Sequence, residues 1–86
     1  MSHILAKQKN VKVDDMRALL IEHAPIHAQY GLYMEQVWQN SDDINEVQFL
    51  FRTDDLAKAK EFILNAHKEA REQDPDVNLP EMTFLE

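Results

Sequence analysis

The sequence predicts an α+β fold in which a four-stranded antiparallel sheet carries two helices on one face. Apolar residues alternate with polar ones over four short stretches, the period of a strand. Over two longer stretches they recur every three or four residues, the period of a helix. The order along the chain, β-α-β-β-α-β, is the third observation, and it matches the ferredoxin-like split βαβ arrangement.

The first strand spans residues 3–9, where Ile4, Ala6 and Gln8 alternate with His3, Leu5, Lys7 and Lys9. The first helix spans residues 14–30, with Asp14 as N-cap and Asp15 adding a favourable charge to the first turn. At 100° per residue, Met16, Leu20, His23, His27 and Tyr30 fall in one narrow stripe flanked by Leu19, Ala24 and Ile26. Two imidazoles and a phenol therefore occupy places where a core helix usually carries aliphatic side chains. Pro25 lies inside the pattern and is expected to bend or loosen the turn around it. Gly31, the only glycine, follows as the left-handed residue that ends the helix.

A second strand over residues 32–39 sets Tyr33, Glu35 and Val37 against Leu32, Met34, Gln36 and Trp38. Six polar-rich residues, 40–45, form the turn of a hairpin, and a third strand over 46–52 carries Val47, Phe49 and Phe51 on one face. Thr53 or Asp54 caps the second helix. Its inward stripe is Leu56, Ala59, Phe62, Ile63, Ala66 and Ala70, and its other face is charged and solvated. Asp74-Pro75-Asp76 stops that helix, and Pro80 precedes a last strand, Glu81–Leu85, with Met82 and Phe84 on one side.

Composition narrows the function classes. Eighty-six residues make a single domain, 1–86, near the lower end of what one core stabilises alone. The absence of cysteine removes disulfides and thiolate metal sites. Nine basic against sixteen acidic residues give a net charge of −7, which opposes binding to nucleic acid or an anionic membrane surface. No apolar run reaches the roughly 18 residues of a membrane span, and the N-terminal stretch lacks the pattern of a secretory signal, so the expected location is the cytoplasm. With one glycine there is no phosphate-cradling loop, and neither a Gly-x-Ser-x-Gly elbow nor a His-Glu-x-x-His pair occurs. No cofactor is expected.

Two helices cover only one face of four strands. The other face takes some of Leu5, Met34, Trp38, Leu50, Met82 and Phe84, depending on register, and a bare apolar sheet face calls for a partner. A homodimer, with the two open faces packed together as a pseudo-barrel, is the expected assembly.

Several segments in order resemble a known family: Glu22-His23-Ala24-Pro25 followed by Gly31; Asp42-Asp43-Ile44-Asn45-Glu46-Val47; Asp54-Asp55-Leu56 with Ala59 and Phe62; and Pro80 before Phe84-Leu85-Glu86. The resemblance is to small bacterial proteins grouped with the dimeric α+β barrel superfamily and described loosely as antibiotic biosynthesis monooxygenase-like. It covers nearly the whole chain and implies the ferredoxin-like fold and the dimer. It implies no reaction, because most of that family has none established. The chain departs from the family pattern at Ile44, where a proline is usual, and at His27, where arginine is usual. Gln8 stands in place of a histidine, Met16 in place of an aromatic, and Pro75-Asp76-Val77 in place of Ala-Gly-Val. All but the turn change concern the pocket or its rim, so ligand identity does not carry over.

The candidate site lies under the first helix. His23 and His27 are four residues apart on one face, a spacing that lets two imidazoles reach one metal ion, but the stripe supplies no carboxylate as a third ligand and no metal is expected. They read otherwise as pocket histidines bonded to polar neighbours, or as groups that hold a ligand or move a proton. Tyr30, Tyr33 and Trp38 are packing residues or polar-tipped walls of a pocket. Leu20, Ala24, Phe49, Phe51, Phe62 and Ile63 supply apolar walls. Arg17, Arg52 and the aspartate pairs Asp42-Asp43 and Asp54-Asp55 read as surface, turn and cap residues.

Three functions follow from this pattern. The first is a dimer that binds a small apolar or amphipathic molecule, fatty-acid-like or aromatic, between the first helix and the sheet. The second is a cofactor-independent monooxygenase or cyclase-like enzyme with His23 as general base. The third is a structural dimer with a filled core.

Overall fold

A computed structural model describes residues 1–86. Its elements are β1 (Ser2–Lys9), α1 (Val13–Gln29), β2 (Tyr33–Asn40), β3 (Asp43–Thr53), α2 (Leu56–Gln73) and β4 (Glu81–Leu85). The strands pair antiparallel in the order β2-β3-β1-β4, so the fold is the ferredoxin-like βαββαβ arrangement.

The β1–β3 register organises the core. It pairs Ile4 with Phe51, Ala6 with Phe49 and Gln8 with Val47, so these side chains share one face. Phe84 and Met82 of β4 pair with Ile4 and Ala6 and extend that face. Met16 and Leu20 of α1 and Ala59 and Ile63 of α2 pack on it with Leu32, forming one cluster of ten buried residues. Both helices are therefore on the same side of the sheet.

Strand β2 departs from strict alternation. Met34 pairs with Phe51 and Val37 with Phe49, because the register shifts between Met34 and Gln36. One extra residue, Glu35, resets the parity at this bulge. Met34 and Val37 consequently turn to the helices, while Tyr33, Gln36 and Trp38 share the open face with Arg52, Leu50 and Gln48. Regular alternation had grouped Met34 with Trp38 and Tyr33 with Val37. Of the six side chains considered for the open face, Leu5, Leu50 and Trp38 are there, and Met34, Met82 and Phe84 are on the helix side.

Most element ends shift by one residue from the sequence reading, and three differences change how the ends are held. α1 begins one residue earlier, after an extended Lys12 that makes no side-chain cap, and the Lys12 carbonyl accepts the Met16 amide at 3.0 Å. Asp14 and Asp15 contribute charge to the first turn and do not cap it. The β2–β3 turn shrinks to Ser41 and Asp42, because Asn40 pairs with Asp43 and the strands continue into the polar segment. Asn40 Oδ1 accepts the Asp42 amide and Asp43 Oδ1 the Asn45 amide, so side chains do the work of a turn without glycine. Asp55, and neither Thr53 nor Asp54, caps α2 by accepting the Lys58 amide at 3.1 Å. Thr53 is fully buried and its hydroxyl oxygen accepts the Asp55 amide.

Helix α1 continues through Pro25, which is exposed, to Gln29. The Leu32 amide then bonds the His27 carbonyl at 2.9 Å and the Gly31 amide the Ala28 carbonyl at 3.1 Å. This is a Schellman cap, with Gly31 in the left-handed region at φ 75° as the sequence indicates. A Cβ there would meet nothing closer than 3.6 Å, so backbone strain is the whole cost of a side chain. Gly31→Ala should lower stability by about 1 kcal/mol, with Gly31→Asn intermediate, measured as the shift in urea midpoint at constant slope. Equal stability of all three proteins would contradict the cap.

Candidate functional site

The two helices meet at one aromatic stack. Tyr30, at the end of α1, lies on Phe62 of α2 with ring centroids 4.0 Å apart and planes at 13°. Beyond that contact a cleft of about 410 Å³ opens between α1, α2 and the sheet. Phe49 and Phe51 of β3 line its inner side in an edge-to-face pair, 5.7 Å between centroids. Leu20 and Ile26 of α1 and Ile63 of α2 are also part of the wall. The segment Asn78-Leu79-Pro80 closes one side, held to β1 because Gln8 Nε2 donates to the Asn78 carbonyl at 3.0 Å and Asn78 Nδ2 donates to the Lys9 carbonyl at 2.8 Å.

Three imidazoles reach this cleft: His23 and His27 from α1, and His67 from α2. The His23 and His27 rings are 6.0 Å apart edge to face, and His27 stands edge-on to Phe51 at 5.3 Å and to Phe62 at 6.4 Å. None of the three makes a hydrogen bond within the chain. Every fully enclosed polar side-chain atom does have a partner, so the imidazole nitrogens are accessible and not sealed in the core. Burial lowers the pKa of His27, and the neighbouring His23 adds to the effect. Burial likewise lowers that of His67, with Arg71, one helical turn further on, as the second cause. His27 and His67 are thus neutral at pH 7, and each can donate from one nitrogen and accept at the other.

The structure brings most of the sequence-predicted site residues together and separates four. Leu20, His23, His27, Phe49, Phe51, Phe62 and Ile63 all line the cleft. Tyr30 does not line it but stacks on Phe62, which does. Ala24 faces the other flank of α1, where smaller clefts run along β2 beside Met34. Tyr33 projects from the open face, where the Arg52 guanidinium sits 4.9 Å from its ring centroid. Trp38 is on the open face too, 45 % exposed. The bulge at Glu35 is the reason that Tyr33 and Trp38 share that face.

His67 was not foreseen, although it follows the core residue Ile63 by four positions, the spacing that puts both on one helix face. Gln8 stood out in the sequence only as a departure from the family pattern; it is nine-tenths buried in the cleft wall. Asn78 lies in a segment with no periodicity and left no signal. No three His, Cys, Asp or Glu side chains converge so as to hold a metal ion. No helix is long and apolar enough to cross a membrane.

No protein-family model matches the chain, and no curated protein or solved structure matches it either.

The lowered pKa values of His27 and His67 set the sign of a pH effect. Below about pH 6.5 an unfolded chain protonates its histidines before the folded one does, so it binds more protons. The stability held by the neutral imidazoles is complete above that pH and is lost as pH falls through the folded values. The urea midpoint should therefore drop between about pH 7.5 and pH 5, and His27→Gln/His67→Gln should flatten that slope. An unchanged slope in the double variant would show that the effect comes from other groups.

Proposed function

We propose that the chain binds a small amphipathic molecule in the cleft between α1 and α2. The observation that carries this reading is an apolar cleft of about 410 Å³ into which unpartnered imidazoles open. Small-molecule sites have volumes of roughly 300–1,000 Å³, mostly apolar walls and a few convergent polar groups. A structural protein with a filled core would place aliphatic side chains where His23, His27 and His67 stand. A second reading makes the same cleft catalytic, with an imidazole taking a proton from the substrate. His23 is the residue proposed for that role, with the His27 ring edge-on to it at 6.0 Å.

Native mass spectrometry of gently purified protein, with extraction of what accompanies it, tests the first reading. Ala66, exposed on the cleft wall, offers a block. Ala66→Trp should abolish retention of the ligand while circular dichroism stays unchanged, and undiminished retention would place the ligand elsewhere. His23→Ala separates the alternatives. A carrier loses affinity, an enzyme loses turnover but keeps binding, and a filled core loses only stability, by roughly 1–3 kcal/mol.

The open sheet face is proposed as a homodimer interface. Leu5 and Leu50 pair at its centre, with Trp38 and Leu85 exposed nearby. Charged pairs flank this patch: His3 and Arg52 on Glu35 on one side, Lys7 and the buried Glu46 on the other. An apolar centre with a polar rim is the usual anatomy of an interface. Leu50→Glu should convert a dimer into a monomer by sedimentation, and a wild-type monomer at micromolar concentration would refute the assembly.

A further inference from the structure

The polar groups of the cleft are all amides and imidazoles. Gln8, His23, His27, His67 and Asn78 are the only ones among its lining residues; no Asp, Glu, Lys or Arg is among them. Gln8 is nine-tenths buried and uses its amide nitrogen on the Asn78 carbonyl, which leaves its side-chain carbonyl without a partner inside the chain. That oxygen is not enclosed, since no enclosed polar atom lacks a partner, and it accepts hydrogen bonds but cannot donate them. The Asn78 amide is likewise spent on the Lys9 carbonyl. The neutral imidazoles supply the donors.

Building on the ligand-binding reading above, we propose that the cleft selects uncharged amphiphiles, molecules that present a hydroxyl or carbonyl to the imidazoles and Gln8, and rejects carboxylates and phosphates. An anion entering an apolar cleft gives up hydration, and only a paired charge restores that loss. No cation lines the walls to do so. Arg71 lies beside His67 but outside the lining. The chain's net charge of −7 adds a long-range repulsion of the same sign. A hydroxyl has no such cost, because it donates to the Gln8 carbonyl or to an imidazole nitrogen and accepts from an imidazole N–H. Burial, the larger cause of the lowered proton affinity of His27 and His67, reflects the same cost of placing a charge in the site.

A matched pair of probes tests this. 2-Naphthol and 2-naphthoate share ring size and shape, but near pH 7.5 the phenol is neutral and the acid ionised. Titration calorimetry or fluorescence should show naphthol bound about tenfold or more tightly than naphthoate by the wild-type protein. Ala66→Lys, which adds an ammonium at the cleft wall, should raise naphthoate affinity relative to naphthol by a similar factor. Naphthoate bound as tightly as naphthol by the wild type would overturn the selectivity and leave the ligand-binding reading standing. Binding of neither would overturn both.

Discussion

The pairing of β1 with β3 is the constraint from which the other features follow. Side chains of a strand alternate strictly, so a slip of one residue would move every core residue to the other face. In the register that forms, Ile4 and Ala6 lie beside Phe51 and Phe49, and both helices pack on that surface. The same register carries Gln8 to the helix side next to Val47. A polar amide thus enters an otherwise apolar surface because it is two residues beyond Ala6. What the helices cover is core, and what they leave uncovered is the cleft.

The sequence showed the helices and their inward phase because a long amphipathic segment repeats its signal over several turns. Met16, Leu20, Ala59 and Ile63 needed no tertiary information. His23 and His27 were equally visible, since they interrupt an aliphatic stripe. The second strand was harder, because a bulge is a relation between two strands and leaves no mark in one. Glu35 is an ordinary strand residue to any reading of periodicity, yet it decides where Tyr33, Met34, Val37 and Trp38 point. The hairpin turn was misjudged for a similar reason. Asn40, Asp42, Asp43 and Asn45 are turn formers by type, but two of them bond neighbouring amides locally and let pairing run almost to the tip. His67 is legible by its four-residue spacing from Ile63, but it stands next to the charged run of Lys68 and Glu69, which reads as a solvated face.

The cleft combines two properties that usually compete. Aromatic and aliphatic walls give a ligand most of its burial free energy without specifying orientation. Polar groups specify orientation, but at a cost if they are left without partners in a dry site. Here the imidazoles stand at the cleft surface, in touch with solvent when no ligand is bound. No enclosed polar side-chain atom is left stranded. The edge-to-face contacts of His27 with Phe51 and Phe62 also restrict its ring, so one imidazole is positioned by packing alone.

The order of strands has a consequence for how the chain assembles. β1 is made first but is an interior strand, flanked by β3 and β4, both of which come later in the sequence. Its neighbours lie far along the chain, with Ser2 opposite Thr53 and His3 opposite Leu85. Contacts of that separation slow folding, because the loops that close them lose entropy before the pairing is made. The helices and the β2–β3 hairpin can take shape locally, while the first strand keeps both edges unsatisfied until β3 pairs and one edge until β4 docks. During synthesis, the segment most exposed to mispairing is therefore one that ends in the interior of the sheet.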